Sequence, residues 1–278
     1  MSNIGETENF GVEFTLNTHN IDKTNFKWAS SFVISTNKNK IVDLYGDGMD
    51  DIGNRWFIGE PVGVVYDYEM VGIWQEDEIE RGEHLNWDPE AKAGDVKLRD
   101  VNGDGKITPE NDKTIQGQTT PKFTAGLTNT FTYKGFTLSV FITTVQGLKR
   151  NNSLLAARSD EMGRRNFTTE VGYWTPENRS NEYSSLSKSA NRNEYKYPSD
   201  ASFTRIKDVT FSYTFPQRLS DAMHLGAVTL YATGRNILTF TKWKGWDPEA
   251  DMAQRGFSNY EKNYPMTKSV VFGMNITF

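Results

Sequence analysis

The sequence predicts an all-β, antiparallel fold of about eight strands, and three features predict it. Aromatic residues make up 13% of the 278 residues and are separated by abundant Thr, Ser, Asn and Gly, a composition of strands and turns rather than helices. Apolar and polar residues alternate with a period of two along several segments. Short and long polar connections also alternate, as in an up-and-down barrel with turns at one rim and large loops at the other.

The first candidate strand is 11–19, where Val12, Phe14 and Leu16 share a face, and the second is 25–36, with Phe26, Trp28, Phe32 and Ile34. A third spans 62–74. Phe123, Ala125, Leu127, Asn129 and Phe131 lead across a Tyr133-Lys134-Gly135 turn into Phe136, Leu138, Val140 and Ile142, so these segments read as a hairpin. Strands follow at 203–215 (Val209, Phe211, Tyr213) and 227–239 (Val228, Leu230, Ala232). The last sets Val270, Phe272, Met274, Ile276 and Phe278 against Ser269, Val271, Gly273, Asn275 and Thr277. The short connections are 20–25, 133–135 and 216–226, and the long ones 37–61, 75–120 and 147–201.

No stretch approaches the roughly 18 consecutive apolar residues of a membrane helix. Membrane strands stay open, because alternation averages out their hydropathy. The polar face is mostly Thr, Ser, Gly and Asn, which suits a wet, crowded lumen, and the apolar face suits lipid. On periodicity alone, a soluble β-sandwich accounts for the strands equally well. The formal charge of −5 excludes a basic nucleic-acid binder as the default. The absence of cysteine removes disulfides, thiolate nucleophiles and Cys-type zinc sites. The start, Met1-Ser2-Asn3-Ile4-Gly5-Glu6, has neither a basic nor an apolar signal region, so a chain working outside the cytoplasm is expected to be a piece of something longer.

The sharpest motif is Asp100-Val101-Asn102-Gly103-Asp104-Gly105-Lys106-Ile107. Oxygen side chains at loop positions one, three and five, glycine at six and a backbone carbonyl at seven are the arrangement by which a loop surrounds Ca²⁺. The expected ligands are Asp100, Asn102, Asp104, the Lys106 carbonyl and Asp112, since position twelve is Asn111 rather than Glu. A solvated Asx-turn loop without metal is the plainer alternative. Trp-Asp-Pro-Glu-Ala occurs at 87–91 and again at 246–250. An aromatic beside carboxylates is a sugar-site pattern, and a glycosidase would draw on Asp88, Glu90, Asp247 and Glu249, but Asp-Pro is more simply a turn initiator. Trp243 and Trp246 are candidate ligand contacts, or members of an aromatic girdle at a membrane interface. His19, His84 and His224 are scattered, and HExxH, GxSxG, Walker A and GxGxxG patterns are missing. The acidic run 75–80 reads as a solvated loop or short helix. Nothing in these residues argues for an enzyme.

Several segments together resemble one family. They are Gly59-Glu60-Pro61-Val62-Gly63, Val71-Gly72-Ile73-Trp74-Gln75, and Gly94-Asp95-Val96-Lys97 leading into the Asp100 loop. Downstream come Tyr173-Trp174-Thr175-Pro176-Glu177-Asn178, Ser202-Phe203-Thr204-Arg205-Ile206-Lys207-Asp208-Val209, Tyr231-Ala232-Thr233-Gly234-Arg235-Asn236-Ile237-Leu238-Thr239, and Tyr264-Pro265 before the final strand. In this order they resemble the C-terminal part of the SusC/RagA-type TonB-dependent outer-membrane transporters of Bacteroidetes, and Phe278 is similar to the terminal aromatic of outer-membrane barrels. The resemblance covers essentially the whole chain. It implies that residues 1–278 are an antiparallel transmembrane β-barrel segment with long extracellular loops, lacking the plug domain and signal peptide of complete members. It implies outer-membrane localisation, contact with lipid, and a role as barrel wall in an importer of an oligosaccharide or peptide. Such an importer would be energised through TonB and capped by a SusD-like lipoprotein, with calcium holding loop 94–116 in a structural role. The reading from a different class is a soluble calcium-dependent glycan-binding β-protein.

Overall fold

Two-residue alternation over long segments gives long strands, and the computed structural model, which describes residues 5–156, 171–245, 247–249 and 265–278, contains thirteen. In chain order they are β1 (Gly5–Asp22), β2 (Phe26–Leu44), β3 (Val64–Tyr68), β4 (Met70–Ile73), β5 (Val96–Leu98), β6 (Lys113–Gln118) and β7 (Phe123–Tyr133). These are followed by β8 (Phe136–Gln146), β9 (Lys149–Asn151), β10 (Pro198–Asp200), β11 (Phe203–Thr214), β12 (Ala227–Thr241) and β13 (Ser269–Thr277). Seven form one antiparallel sheet in the order β1-β2-β7-β8-β11-β12-β13, which is not closed and ends in β1 and β13. The other six form the pairs β3–β6, β4–β5 and β9–β10. No helix among the described residues is long and apolar enough to cross a membrane.

The register carries one apolar face across the whole wall. Phe14 lies opposite Ile34, Phe32 opposite Leu127, Phe131 opposite Leu138, Leu138 opposite Phe211, Phe211 opposite Ala232, and Ala232 opposite Phe272. Because the side-chain period is two, the intervening residues must share the other face, and they are mostly Thr, Ser and Gly. Hydroxyls there bond across strands, Thr210 to Thr233 at 2.9 Å and Thr214 to Thr229 at 3.0 Å. On the same face Tyr231 lies across Gly273, where an added Cβ would come within 2.2 Å of the ring. The apolar face is left open: Phe10, Val270 and Phe272 are 68%, 66% and 79% exposed, which a water-facing sheet would not tolerate as a continuous band. Toward the turn rim it ends in an aromatic row, with Trp28 stacked on Phe131 at 5.7 Å and Phe136 on Phe211 at 5.7 Å. The few polar groups on this face bond to each other: Asn129 Oδ1 accepts from Trp28 Nε1 at 2.9 Å and from Ser30 Oγ at 2.7 Å.

Connections 23–25, 134–135 and 215–226 lie at one rim, and all the long ones at the other. Segment 62–74 differs from the expected wall strand. It divides into β3 and β4, which pair with β6 and β5 away from the wall, leaving seven wall strands. Val64, Val65, Asp67 and Tyr68 are all buried, so both faces of β3 are covered, and a wall strand would leave alternate residues open. Strand β2 also continues beyond 36 to Leu44, through the polar run Asn37-Lys38-Asn39-Lys40, because β1 runs beside it and supplies the ladder hydrogen bonds.

In a membrane-inserted receptor containing this chain, a nitroxide on Phe272→Cys is expected to be reached by dissolved oxygen, and one on Asn275→Cys by a water-soluble nickel chelate. Reversed accessibilities would overturn the register.

Candidate functional site at the long-loop rim

The long connections fold onto a core of their own, in which Tyr68, Ile73, Val96, Leu98, Trp174 and Tyr197 are buried together. One polar side chain ties its parts. Gln75 donates from Nε2 to the Ile73 carbonyl at 2.8 Å and the Ser180 carbonyl at 3.0 Å, and accepts at Oε1 from Trp174 Nε1 at 2.9 Å and Arg179 Nε at 3.1 Å. Gln75 also caps the short helix Glu76–Glu80, which the acidic run forms, with its amide donating to Glu78 at 2.9 Å. Lys97 bonds Glu78 at 2.7 Å and stands over the Trp74 ring at 4.2 Å. Asp67 accepts the amides of Tyr68 at 2.9 Å and Lys196 at 2.8 Å; burial pushes its carboxyl above the ordinary value and those amides pull part of the way back. Burial, with Asp67 adjacent, pushes the Tyr68 phenol up to about 12.

The two Trp-Asp-Pro-Glu-Ala copies do the same physical work. In the first, Asp88 is buried against Arg192, which also holds Asp95 at 2.7 Å. Burial raises the Asp95 carboxyl against the pull of the Lys92 amide and Arg192. Arg192 is lowered by burial and held above its ordinary value by Asp88 and Asp95. In the second, Asp247 takes Arg205 Nη2 on both oxygens at 2.7 and 2.8 Å, and Glu249 takes Nη1 at 2.7 Å. Arg205 is 1% exposed on the hydroxyl face of β11. A bulge between Ile206 and Asp208 brings Lys207 to Glu249 as well, at 2.7 Å. Both motifs are turns, with the Ala91 amide on the Asp88 carbonyl at 2.9 Å and the Glu249 amide on Asp247 Oδ1 at 2.8 Å. Their aspartates neutralise buried guanidinium groups, which is an anchoring role. Sequence reasoning missed Arg192 and Arg205; an arginine on the lumen face of an otherwise Thr-rich strand was the available signal for the second.

The Asp100 loop is closed by hydrogen bonds. Asp100 accepts the Gly103 amide at 2.7 Å and the Gly105 amide at 2.9 Å, and Asp104 accepts Asn102 Nδ2 at 2.8 Å and the Lys106 amide at 2.9 Å. Gly105 has φ 80, the turn that position six requires. The Asn102 bond and the Lys106 amide hold the Asp104 carboxyl below its ordinary value. Asp112 is fully buried, with its oxygens on the amides of Val101 at 2.8 Å and Thr108 at 2.7 Å. The donor set is hard oxygen and suits Ca²⁺ chemically. Among the described residues, however, no three His, Asp or Glu side chains converge as a metal cage. Trp243 is buried with Val145, Leu148, Ala201 and Phe203 at the long-loop end of the wall, and Trp246 lies outside the described residues. His19 is in β1, His84 in the turn 83–86 and His224 in the connection 215–226.

No family model matches the chain. Over its whole length it is 33% identical to TonB-dependent receptor P3 of Formosa agariphila, of which it covers 29%, and 33% identical to receptor P26 of that organism, of which it covers 30%. Over 99% of its length it is 26% identical to TonB-dependent receptor SusC of Bacteroides thetaiotaomicron, of which it covers 27%. Throughout its length the chain is similar to TonB-dependent receptors, SusC among them. It spans less than a third of the length of these relatives, and like them it is an outer-membrane protein. In fold, the chain superposes over 99% of its length on the RagAB peptide importer in its open-open and closed-closed states, with TM-scores of 0.73 and 0.74 at 23% identity, covering 29% and 30% of the solved chains. The open seven-stranded sheet is therefore part of a barrel wall, with its apolar face toward lipid.

Arg205→Met would leave Asp247 without its cation and Glu249 with Lys207 alone, and is expected to cost about 3 kcal/mol or more locally. Hydrogen exchange at the Glu249 and Met266 amides, both bonded to Asp247, should speed accordingly in the whole receptor. Unchanged protection would show that the clamp does not anchor this connection.

Proposed function

We propose that the chain supplies barrel wall and extracellular loops to an outer-membrane nutrient importer that takes up an oligosaccharide or peptide, is energised through TonB and works with a SusD-like lipoprotein. The observation that carries this reading is the unclosed wall with one apolar and one hydroxyl-lined face, in a chain similar throughout to part of TonB-dependent receptors. The segment has no enzymatic role; its carboxylates serve as anchors. Import belongs to the whole receptor, in which β1 and β13 meet the remaining strands. Alone in water, both edges and the apolar face are open, so the purified segment is expected to aggregate without detergent. A monodisperse, detergent-free monomer that unfolds cooperatively would favour the soluble glycan-binding reading instead.

Calcium is a structural part of this proposal. Asp100, Asn102, Asp104, the Lys106 carbonyl and Asp112 would hold Ca²⁺, supported by the loop spacing and the Gly105 turn. With Asn111 at the twelfth position the expected Kd is about 10⁻⁴ M, as in extracellular modules. Calorimetric titration of the whole receptor should show heat that Asp104→Ala removes, together with calcium-dependent protection of 94–116 from protease. Equal heats for the two proteins would remove the site.

A further inference from the structure

Lysines stand where the apolar band of the wall ends. On β2 the residues facing lipid run from Phe26 and Trp28 through Phe32 and Ile34 to Lys38 and Lys40; the register with β1 is continuous from Ala29 to Lys40, after a shift between His19 and Ile21. Trp28 and Lys38 are ten residues apart. At about 3.3 Å per residue and a strand tilt of about 40°, that separation is about 25 Å of height, the thickness of the apolar band of an outer-membrane barrel. Trp28 belongs to the aromatic row at the turn rim, so Lys38 lies at headgroup level on the long-loop side.

At that level the pairing of β2 with β7 stops, at Thr36 opposite Phe123, and a cavity of about 590 Å³ opens beside the segment 59–61. Lys38, Lys40 and Lys122 line it together with the amides of Asn37 and Gln118. Its one carboxylate is Glu8, bonded to Lys40 at 2.7 Å. Lys38 and Lys122 have no ion pair among the described residues, so the cavity carries two positive charges in excess. Phe10, opposite Lys38 and 68% exposed, continues it into the apolar face below. Phe10, Lys38 and Lys40 line it from the lipid face and Asn37 and Asn39 from the other, at the gap left where β7 stops.

We propose that this cavity binds the phosphate headgroup of an anionic glycolipid in the leaflet on the long-loop side, with its acyl chains running down over Phe10. The proposal rests on the outer-membrane placement of the wall and is independent of import. The test uses the whole receptor, delipidated in detergent and titrated with a phosphorylated lipid A, the same lipid dephosphorylated, and inorganic phosphate, with bound lipid read by native mass spectrometry. At about fivefold per lysine, Lys38→Gln with Lys122→Gln should weaken binding of the phosphorylated lipid about twenty-five-fold. The double arginine variant should keep the affinity, and Lys134→Gln at the turn rim should leave it unchanged. Equal affinity for the dephosphorylated lipid, unchanged binding by the double Gln variant, or an equal loss in Lys134→Gln would overturn the proposal. Inorganic phosphate binding as tightly as the lipid would overturn the assignment to a headgroup. Nutrient uptake at the wild-type level in the double variant is expected, and keeps this test separate from that of the importer.

Discussion

The wall depends on one constraint: in hydrocarbon no water is present to satisfy backbone amides and carbonyls, so each strand must find its partners in its neighbours. The ladder fixes the register, and the register fixes which side chains meet lipid. A slip of one residue anywhere between β1 and β13 would exchange the Phe, Leu and Val band for Thr and Ser. The same constraint makes the two outer strands incomplete by themselves, which is why a segment of this kind has meaning only inside a longer barrel.

Above the wall the solvent changes and so does the means of holding structure. The long connections bury aromatic residues in a small core, and each buried arginine is matched by two carboxylates, Arg192 with Asp88 and Asp95, Arg205 with Asp247 and Glu249. Such pairs add little net stability relative to apolar residues, but each makes a misplaced loop costly, because a lone buried guanidinium or carboxylate is far worse than a void. Repetition of Trp-Asp-Pro-Glu-Ala is thus a repeated solution to one problem, docking an irregular turn onto a cation.

The wall was legible in the sequence wherever its residues were amphipathic. Val270 to Phe278, the 123–143 hairpin and strands 203–215 and 227–239 emerged from alternation alone, since lipid on one side and water on the other impose a period of two. The run Asn37 to Lys40 was not legible as strand, because above the apolar band both faces are polar and only pairing with β1 defines it. Segment 62–74 misled for the opposite reason: apolar residues that are covered on both sides look like wall strand until their partners are known. Arg192 acts across nearly a hundred residues of chain on Asp95, and nothing local announces such a contact. The Asp100 motif was read from spacing, and its folded form shows how the same oxygens close the loop through amides.

The threonine pairs across β11 and β12 carry one more implication. A hydroxyl donates one bond and accepts up to two, so a facing pair shares one bond and keeps a donor and further lone pairs for water, and the lining is wettable without presenting charge. Arg205 on this face is neutralised by Asp247 and Glu249, and Arg235 lies 3.6 Å from Asp208. A body that slides along such a surface exchanges one weak, quickly reoriented contact for another, without deep resting places. At Thr210, Thr214, Thr229 and Thr233 this lining presents hydroxyls where Lys or Glu would grip.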